Sequence, residues 1–349
     1  MSAHLFMISL VTVQLTATSL LASDLLGKQV FPKAEFQLLR DDQPVPDSHL
    51  NGLPYVVQAV DGDWLWVGDR APGWVQSHHI IPLDQAYDYY TSLISQQPER
   101  AAWRNLRAIV SSEQGHFEKA IDDYTEAIDV NPQLASAYRN RGVLQARQNR
   151  NEAAIADYTR ALALHPQYGR ALFNRGNAWG RQGECESALE DFNAAIKIDP
   201  SFATAWYGRG LAHEKLGRYQ KAIEDYQEAI RLEPRHASAH NNLAWILSTC
   251  PDDAIRNSAL AIEHARQACQ LTAYERANHL GTLAAAHAEA GEFDNAYDLQ
   301  KQSLALTTSG LERLPSEKRL NLYRLHQPFR SDFFSTDIRQ TSGTFLLQK

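Results

Sequence analysis

Three columns of residue types recur along this chain with a period of 34 residues. An alanine marks the first column, an aromatic residue follows four positions later, and a proline follows eight positions after that. The alanines are Ala86, Ala120, Ala154, Ala188 and Ala222, the aromatics are Tyr90, Tyr124, Tyr158, Phe192 and Tyr226, and the prolines are Pro98, Pro132, Pro166, Pro200 and Pro234. A fixed period of this length predicts stacked supersecondary units, which usually bind other molecules rather than catalyse reactions.

The net charge and the cysteines limit the functions and the covalent cross-links that are expected of this chain. The formal net charge of −7 over 349 residues argues against a protein that binds nucleic acid over its whole surface. Cys185 is predicted to be a packed thiol. Cys250 and Cys269 are predicted to be free, because they would lie about 16 Å apart on antiparallel helices, whereas a disulfide needs Cα atoms within about 7 Å.

The N-terminus, residues 1–23, reads as a signal peptide or an N-terminal membrane segment. Residues 5–22 are apolar or small and carry no charge, which is typical of such segments. A buried strand or helix is the alternative. We therefore expect an exported protein, periplasmic or envelope-associated, and a cytoplasmic one if this segment is not a signal. Membrane contact is expected only through this segment, if it is uncleaved.

The sequence of residues 27–83 predicts a small all-β domain. Strand-forming runs such as 55–60 and 64–67 are separated by Gly and Asp at roughly ten-residue spacing. A turn, a Trp-x-Trp-Val strand, a loop and a Gly-Trp-Val strand follow one another, and this order resembles bacterial SH3-like domains. We expect at least one of Trp64, Trp66 and Trp74 to fill the barrel core; an aromatic ligand surface formed by the others is the alternative. Residues 84–100 are predicted to form a lone helix that packs the barrel onto the repeats.

The repeats themselves begin at Ala101, which is position 1 of the first repeat. A small residue at position 8, a turn at 15, Ala at 20, an aromatic at 24, Ala at 27 and Pro at 32 together resemble the tetratricopeptide repeat over residues 85–308. The resemblance implies a mainly α fold, in which antiparallel helix pairs stack into a right-handed α-solenoid with a concave groove, preceded by the small SH3-like barrel.

Six repeats are predicted over residues 101–308. The fifth has a five-residue insertion within 249–254, and the sixth is degenerate, with Gln300 in the aromatic column. Residues 309–330 are expected to contain a capping helix, from Ser316 to His326, and residues 331–349 to form a disordered tail.

Two charged columns coincide in the four regular repeats. Position 7 is Arg and position 23 is Asp in these repeats, whereas repeats five and six have Leu243 and Leu283 at position 7 and no acid at position 23. We interpret the columns as structural ion pairs within each repeat, because a partly buried charge needs a partner. A groove for anions is the competing interpretation. The pairs are Arg107–Asp123, Arg141–Asp157, Arg175–Asp191 and Arg209–Asp225.

In the family that the repeats resemble, positions 2, 5, 6, 9, 12 and 13 of each first helix line the groove. The first helices of repeats two to four are rich in Arg and Lys and have one acid, Glu214, whereas the second helices are acidic. Grooves of this kind hold extended peptides, with Asn side chains on the peptide backbone and Arg or Lys on carboxylates. The family's carboxylate clamp is only partly matched, because Asn140 and Asn174 are present but Arg139 stands where a Lys would. The predicted groove residues are Arg139, Asn140, Arg147, Arg170, Phe173, Asn174, Asn177, Arg181, Tyr207, Lys215, Asn241 and Asn242.

No motif of an enzyme, a metal site or a cofactor site occurs in the sequence: there is no Walker loop, His-Glu-x-x-His, Cys-x-x-Cys or Gly-x-Ser-x-Gly. We therefore predict no catalytic residue, no metal and no cofactor. The predicted function is a non-enzymatic interaction scaffold of the bacterial cell envelope that binds an extended, acidic segment of a partner protein and no nucleic acid. A cell-wall-binding protein, with the barrel as the contact and the repeats for assembly, is the alternative, and a solvated face without a dedicated ligand is a third.

Overall fold

The computed structural model describes residues 22–33, 39–40, 43–44, 54–67, 73–308 and 310–331. The predicted signal or membrane segment, 1–23, and the predicted tail, 331–349, lie outside these residues except at positions 22, 23 and 331. The chain forms two units, Met1–Asn131 and Pro132–Lys349. Within the described residues no helix combines the length and the apolar character needed to span a membrane.

A small antiparallel sheet opens the first unit, as predicted. Its described strands pair in the order β3-β2-β6-β5-β4-β1-β7, and every neighbouring pair is antiparallel. The strands are β1 (Gln29–Pro32), β2 (Leu39–Arg40), β3 (Gln43–Pro44), β4 (Tyr55–Asp61), β5 (Trp64–Val67), β6 (Gly73–Gln76) and β7 (Ile80–Pro82). The likeness of this sheet to SH3-like domains stays a prediction.

The core of the sheet consists of aliphatic residues and Tyr55, and the prediction that a tryptophan fills it is wrong. Trp64, Trp66 and Trp74 are half-buried and alternate with fully buried residues along β5 and β6. Successive residues of a strand point to opposite faces, so the tryptophans share the face away from the core. There the rings of Trp66 and Trp74 meet edge to face at 5.4 Å. The buried residues of the sheet include Val57, Leu65, Val67 and Val75.

The first helix, α1 (Leu83–Gln96), packs directly on the sheet. Phe31 and Ile81 of the sheet are buried in one cluster with Ala86 and Tyr90 of α1. The Tyr90 hydroxyl donates a hydrogen bond of 2.6 Å to the carbonyl of Pro32. The first alanine and the first aromatic of the 34-residue period thus anchor the sheet to the helices of the first unit.

Six antiparallel helix pairs follow α1, and the mainly helical repeat architecture agrees with the prediction. One pair, α2–α3, belongs to the first unit and the other five belong to the second. The first helices are α2 (Ala101–Glu113), α4 (Ala135–Arg147), α6 (Gly169–Gln182), α8 (Ala203–Lys215), α10 (Ala237–Thr249) and α12 (Ala277–Glu289). The second helices are α3 (Phe117–Val130), α5 (Asn151–Leu164), α7 (Cys185–Ile198), α9 (Tyr219–Leu232), α11 (Ser258–Leu271) and α13 (Phe293–Leu306).

In repeats two, three and four, a glycine at position 8 lies in close contact with the aromatic ring of position 24. A Cβ atom placed on Gly142 would lie 2.8 Å from Tyr158 Cε1, and one on Gly210 would lie 2.6 Å from Tyr226 Cε1. Real Cβ atoms do not approach other atoms so closely. Glycine at position 8 therefore permits this close approach in repeats two to four, whereas repeat one has Ala108 there.

The two charged columns meet as bidentate ion pairs in all four regular repeats. Arg141 Nε and Nη2 each lie 2.8 Å from an oxygen of Asp157, and Arg175 reaches Asp191 at 2.8 and 2.7 Å. Arg107–Asp123 and Arg209–Asp225 have the same geometry. Burial raises the pKa of Asp191, and the Arg175 guanidinium offsets part of that rise. All four aspartates are buried, and each is paired with the arginine of its own repeat.

The fifth repeat replaces the ion pair with a contact between two histidines. His264, at position 23, has its Nδ1 atom 3.0 Å from Nδ1 of His240. The extended turn between α10 and α11 is held by Arg256, which donates to the carbonyl of Cys250 at 2.8 Å and to Glu289 at 2.9 Å.

The last helix, α14 (Gly310–Arg324), starts and ends earlier than the predicted Ser316–His326. Pro315 lies inside α14, within its first two turns. Proline at such a position leaves one carbonyl without an intrahelical partner but does not end the helix here. The prediction started the helix after this proline and was wrong about that boundary.

We predict that Arg175→Leu destabilises the protein by about 3 kcal/mol, because it leaves the buried carboxylate of Asp191 without its partner. The double variant Arg175→Leu/Asp191→Leu should recover most of that loss, because it reproduces the Leu283 and Leu299 arrangement of repeat six. Urea denaturation of the single and double variants measures both effects. A double variant no more stable than the single one would contradict the pairing energetics.

Candidate binding site on the first helices

The first-helix face is defined as positions 2, 5, 6, 9, 12 and 13 of α4, α6, α8, α10 and α12. Six of the predicted groove residues are half-buried or exposed on this face: Arg139, Asn140, Arg147, Arg170, Arg181 and Lys215. The other six are buried: Phe173, Asn174, Asn177, Tyr207, Asn241 and Asn242. The prediction that all twelve present themselves to a ligand therefore needs correction for the second set.

The buried set packs between helices rather than facing outward. Phe173 lies 5.9 Å from the ring of Phe192 and 5.1 Å from that of Phe202, which precedes α8. Tyr207 packs in the same way against Tyr226 and His236. The next repeat thus covers positions that a single helix pair would leave open.

The phenol of Tyr158, on α5, is buried against Val143 and Ala146 of α4 and Ala178 of α6. Tyr158 is fully buried, and its hydroxyl has no hydrogen-bond partner among the residues that the structure describes. Burial raises the pKa of Tyr158, and the positive charges of Arg139, Arg181 and Arg147 act in the opposite direction. Arg181 Nη1 donates to the carbonyl of Ala146 at 3.0 Å, so the guanidinium of α6 lies at the end of α4.

The same face has a buried carboxyl group in repeat four, which the sequence marked only as an exception among basic residues. Glu214 Oε2 accepts a 2.6 Å hydrogen bond from the Tyr226 hydroxyl. Asn242 Nδ2 donates to the hydroxyl of Tyr207 at 3.3 Å. Burial raises the pKa of Glu214 to about 7, although the Tyr226 hydroxyl and Lys215 lower it. An acid at position 12 in the same repeat as a tyrosine at position 24 was the available sequence signal.

Residues 325–331, here the C-terminal segment, contact the first helices of repeats five and six through Phe329, Arg330 and Ser331. Ser331 N donates to the Thr249 carbonyl at 2.9 Å, and the ring of Phe329 lies 5.8 Å from that of Trp245. Arg330 Nη1 lies 2.6 Å from Glu289 Oε2. Trp245, Thr249 and Glu289 occupy positions 9, 13 and 13 of their repeats. The chain's own segment therefore contacts part of the face, and no pattern in the sequence predicted this.

The cysteine thiols are buried, and the described side chains that could bind a metal ion are not grouped. Cys185, Cys250 and Cys269 are free and buried, as predicted, and burial raises the pKa of Cys269 to about 12. Such a thiol is unreactive at neutral pH. Within the described residues, no three His, Cys, Asp or Glu side chains are placed to hold a metal ion.

Family models identify the repeats. The Tetratricopeptide repeat model matches residues 107–169 and, in a second form, residues 203–236, and the TPR repeat model matches residues 181–217. The matched residues, 107–169 and 181–236, are therefore tetratricopeptide repeats. Comparison with curated proteins returns no match.

Solved structures with similar helix pairs support the tetratricopeptide fold. The APC/C hetero-tetramer Cut9–Hcn1 has a TM-score of 0.58 at 18% identity over 68% of this chain and 46% of that one. PilF of Pseudomonas aeruginosa has a TM-score of 0.53 at 20% identity over 68% of this chain and 98% of that one. MamA matches 44% of this chain and 91% of its own at 25% identity, with a TM-score of 0.42. At these values the first two show the fold alone.

The tetratricopeptide face gives a pH prediction through Glu214. Its pKa in the folded protein, about 7, lies above the ordinary 4.5. The folded state therefore holds this proton more tightly, so its contribution to stability is complete below about pH 4.5 and is lost as the pH rises through 7. Glu214→Gln keeps an oxygen for Tyr226 and removes the titration. The stability of Glu214→Gln relative to wild type should increase from pH 5 to pH 8 by on the order of 2 kcal/mol.

Urea denaturation at several pH values measures this difference, and the contributions of the histidines cancel because both proteins share them. Glu224→Gln, at an exposed position of α9, is the matched control and should give no such trend. A difference for Glu214→Gln that stays constant across the range would contradict the prediction.

Proposed function

We propose that this chain is a non-enzymatic interaction scaffold whose first-helix face, over repeats two to four, binds an extended and acidic segment of a partner protein. Tetratricopeptide repeats bind proteins, and the absence of catalytic motifs in the sequence supports a binding role. The partner segment would run across α4, α6 and α8.

One observation carries the proposal: these three helices have eight arginines and lysines and one carboxylate. Arg141, Arg175 and Arg209 are held by the aspartates of the second helices. The same three helices carry five further cations but one carboxylate, that of Glu214. Opposite charge on a partner would be favoured here, even though the whole chain is acidic. The five further cations are Arg139, Arg147, Arg170, Arg181 and Lys215.

The shape of the ligand follows from the spacing of these cations. They recur on the first helices of three successive repeats, so a ligand that contacts several of them must be extended rather than compact. Half-buried Asn140 supplies an amide that can bind a peptide backbone. The proposal extends to the cell envelope, because the uncharged residues 5–22 have the composition of an export signal.

Site-specific photo-crosslinking in cells tests the groove. A benzoylphenylalanine at position 140 lies on the first-helix face, and one at Lys197, exposed on α7, lies on a second helix. We expect a protein adduct from position 140 and none from position 197. Mass spectrometry of the adduct should identify an acidic segment.

Charge reversal supplies the matched controls. Arg170→Glu/Lys215→Glu should reduce the adduct about fivefold or more, because opposite charges across an interface favour association. Lys197→Glu/Lys221→Glu makes the same change in net charge on the second helices and should leave the adduct within about twofold. Equal loss in both double variants would mean that total charge matters and that the first-helix face does not.

A second candidate function is favoured by the tryptophan pair on the sheet. Trp66 and Trp74 share the face away from the core and are in ring contact. Aromatic surfaces of this kind stack on sugars and peptides. Contact with the cell wall through the sheet, with the repeats serving assembly, is the corresponding alternative.

Co-sedimentation of the full chain with purified cell wall tests this alternative. Trp66→Ala/Trp74→Ala should reduce the bound fraction severalfold, because it removes the aromatic surface while leaving the buried core of Leu65, Val67 and Val75 intact. The matched control is Trp206→Ala, which removes an indole of the helical repeats. Undiminished sedimentation of the double variant would exclude the tryptophan pair as the contact.

A further inference from the structure

We propose that the first helices of repeats five and six form a peptide subsite that recognises an aromatic residue followed directly by an arginine. In this structure the chain's own Phe329 and Arg330 fill this subsite. A partner segment with the same pair of residues takes their place when the C-terminal segment leaves. The subsite lies outside repeats two to four and selects the opposite charge, so it does not depend on the proposed function.

The C-terminal ends of the first helices indicate that the ligand of this subsite is a cation. The last carbonyl groups of a helix lack intrahelical partners and carry partial negative charge, which favours a cation beside them. In repeats two to four the helix supplies that cation itself, at position 13. In repeats five and six position 13 is Thr249 and Glu289, so the cation must come from elsewhere. The cations at position 13 of repeats two to four are Arg147, Arg181 and Lys215.

The carboxylate of Glu289 is oriented before any ligand arrives. Arg256 Nε donates to its Oε1 atom at 2.9 Å, and Arg256 Nη1 donates to the Cys250 carbonyl at 2.8 Å. Arg330 Nη1 lies 2.6 Å from the other oxygen, Oε2. If Arg330 leaves, Arg256 still holds Glu289, and Oε2 is left without its cation. Planar guanidinium groups match carboxylate oxygens better than other cations do, which favours arginine in the ligand.

The aromatic part of the subsite is also held by residues outside the C-terminal segment. The ring of Phe329 lies 5.8 Å from that of Trp245 on α10. The guanidinium of Arg319 lies 5.7 Å from the Trp245 ring and 5.9 Å from the Phe329 ring. Arg319 in turn donates to Gln300 Oε1 at 3.3 Å and to Ser316 Oγ at 2.9 Å. An aromatic ring therefore meets both an indole and a fixed cation here, and both contacts are favourable.

The C-terminal segment is weakly held in this subsite. Residues 327–331 have no regular secondary structure, and Phe329 and Arg330 are half-buried. Ser331 is buried and donates to the Thr249 carbonyl from its backbone N at 2.9 Å and from its Oγ at 3.0 Å. The turn after α14 places His326 at a φ of 56°, in the left-handed region that favours glycine. A segment with so few contacts opens locally at a lower cost than the whole fold.

NMR of the full chain, read on the indole Nε1–H signal of Trp245, tests the subsite. This N–H has no hydrogen-bond partner among the residues that the structure describes, so its signal reports on the groups that pack near it. Trp245→Phe assigns the signal, and Phe329→Ala/Arg330→Ala empties the subsite. The probes are three capped pentapeptides: the sequence of residues 327–331, the same with alanine for phenylalanine, and the same with glutamate for arginine.

The first peptide should shift the Trp245 signal of the double variant. It should bind wild type about tenfold more weakly, because the C-terminal segment competes there at a high effective concentration. The other two peptides should bind the double variant about tenfold more weakly than the first, or not at all. Arg330→Ala alone changes one half-buried side chain and should also bind the first peptide more tightly than wild type does, so the test does not depend on the folding of the double variant.

A matched pair of carboxylate variants separates recognition from a structural role. Added to the double variant, Glu289→Gln should abolish the preference for the arginine peptide over the glutamate peptide. Glu263→Gln, at an exposed position of α11, should leave that preference unchanged. A Trp245 signal that responds to no peptide in either emptied variant, or equally to all three, would overturn the subsite. The photo-crosslink at position 140 lies on repeat two and tests the proposed function separately.

Discussion

The close contact of an aromatic ring with a glycine determines both the packing and the chemistry of the repeats. Tyr158 against Gly142 and Tyr226 against Gly210 bring two helices closer than any side chain at position 8 would allow. This contact fixes the hydroxyl of each ring at the first-helix side. Packing therefore determines where the tyrosine hydroxyl lies, and the residue at position 12 determines whether that hydroxyl has a hydrogen-bond partner. Phe192, in repeat three, keeps the packing and has no hydroxyl.

The intra-repeat ion pairs explain how an acidic chain can present a basic surface. Each pair joins a first helix to a second helix, so that the pair is neutral and adds no charge to either side. The remaining cations then determine the potential of the first-helix face. In repeat five the pair is absent, and His240 and His264 meet instead. The C-terminal segment contacts that end of the face, with Arg330 on Glu289.

The sequence predicted contacts that recur with the period and missed those that do not. The helix pairs and the partners of the charged columns could be read from fixed offsets, because every repeat solves the same packing problem. The burial of Phe173 could not, because Phe202 of the following repeat covers it. The prediction that at least one of Trp64, Trp66 and Trp74 fills the core failed because Trp-Leu-Trp-Val is apolar on both faces of a strand. Alternation alone cannot show which of two apolar faces is buried. The contacts of the C-terminal segment could not be predicted from the period, because residues 325–331 lie outside the repeats.

The two tyrosines give the first-helix face an internal direction. In repeat two the Tyr158 hydroxyl has no hydrogen-bond partner among the described residues, whereas in repeat four the Tyr226 hydroxyl donates to Glu214. Near neutral pH Glu214 is only partly ionised, since burial raises its pKa to about 7. An acidic group of a segment bound as proposed is therefore favoured over α4 and α6 and gains nothing at Glu214. This difference would fix the register of the segment along the face, since sliding it by two repeats would move an acidic group from the arginines of α4 to Glu214 of α8.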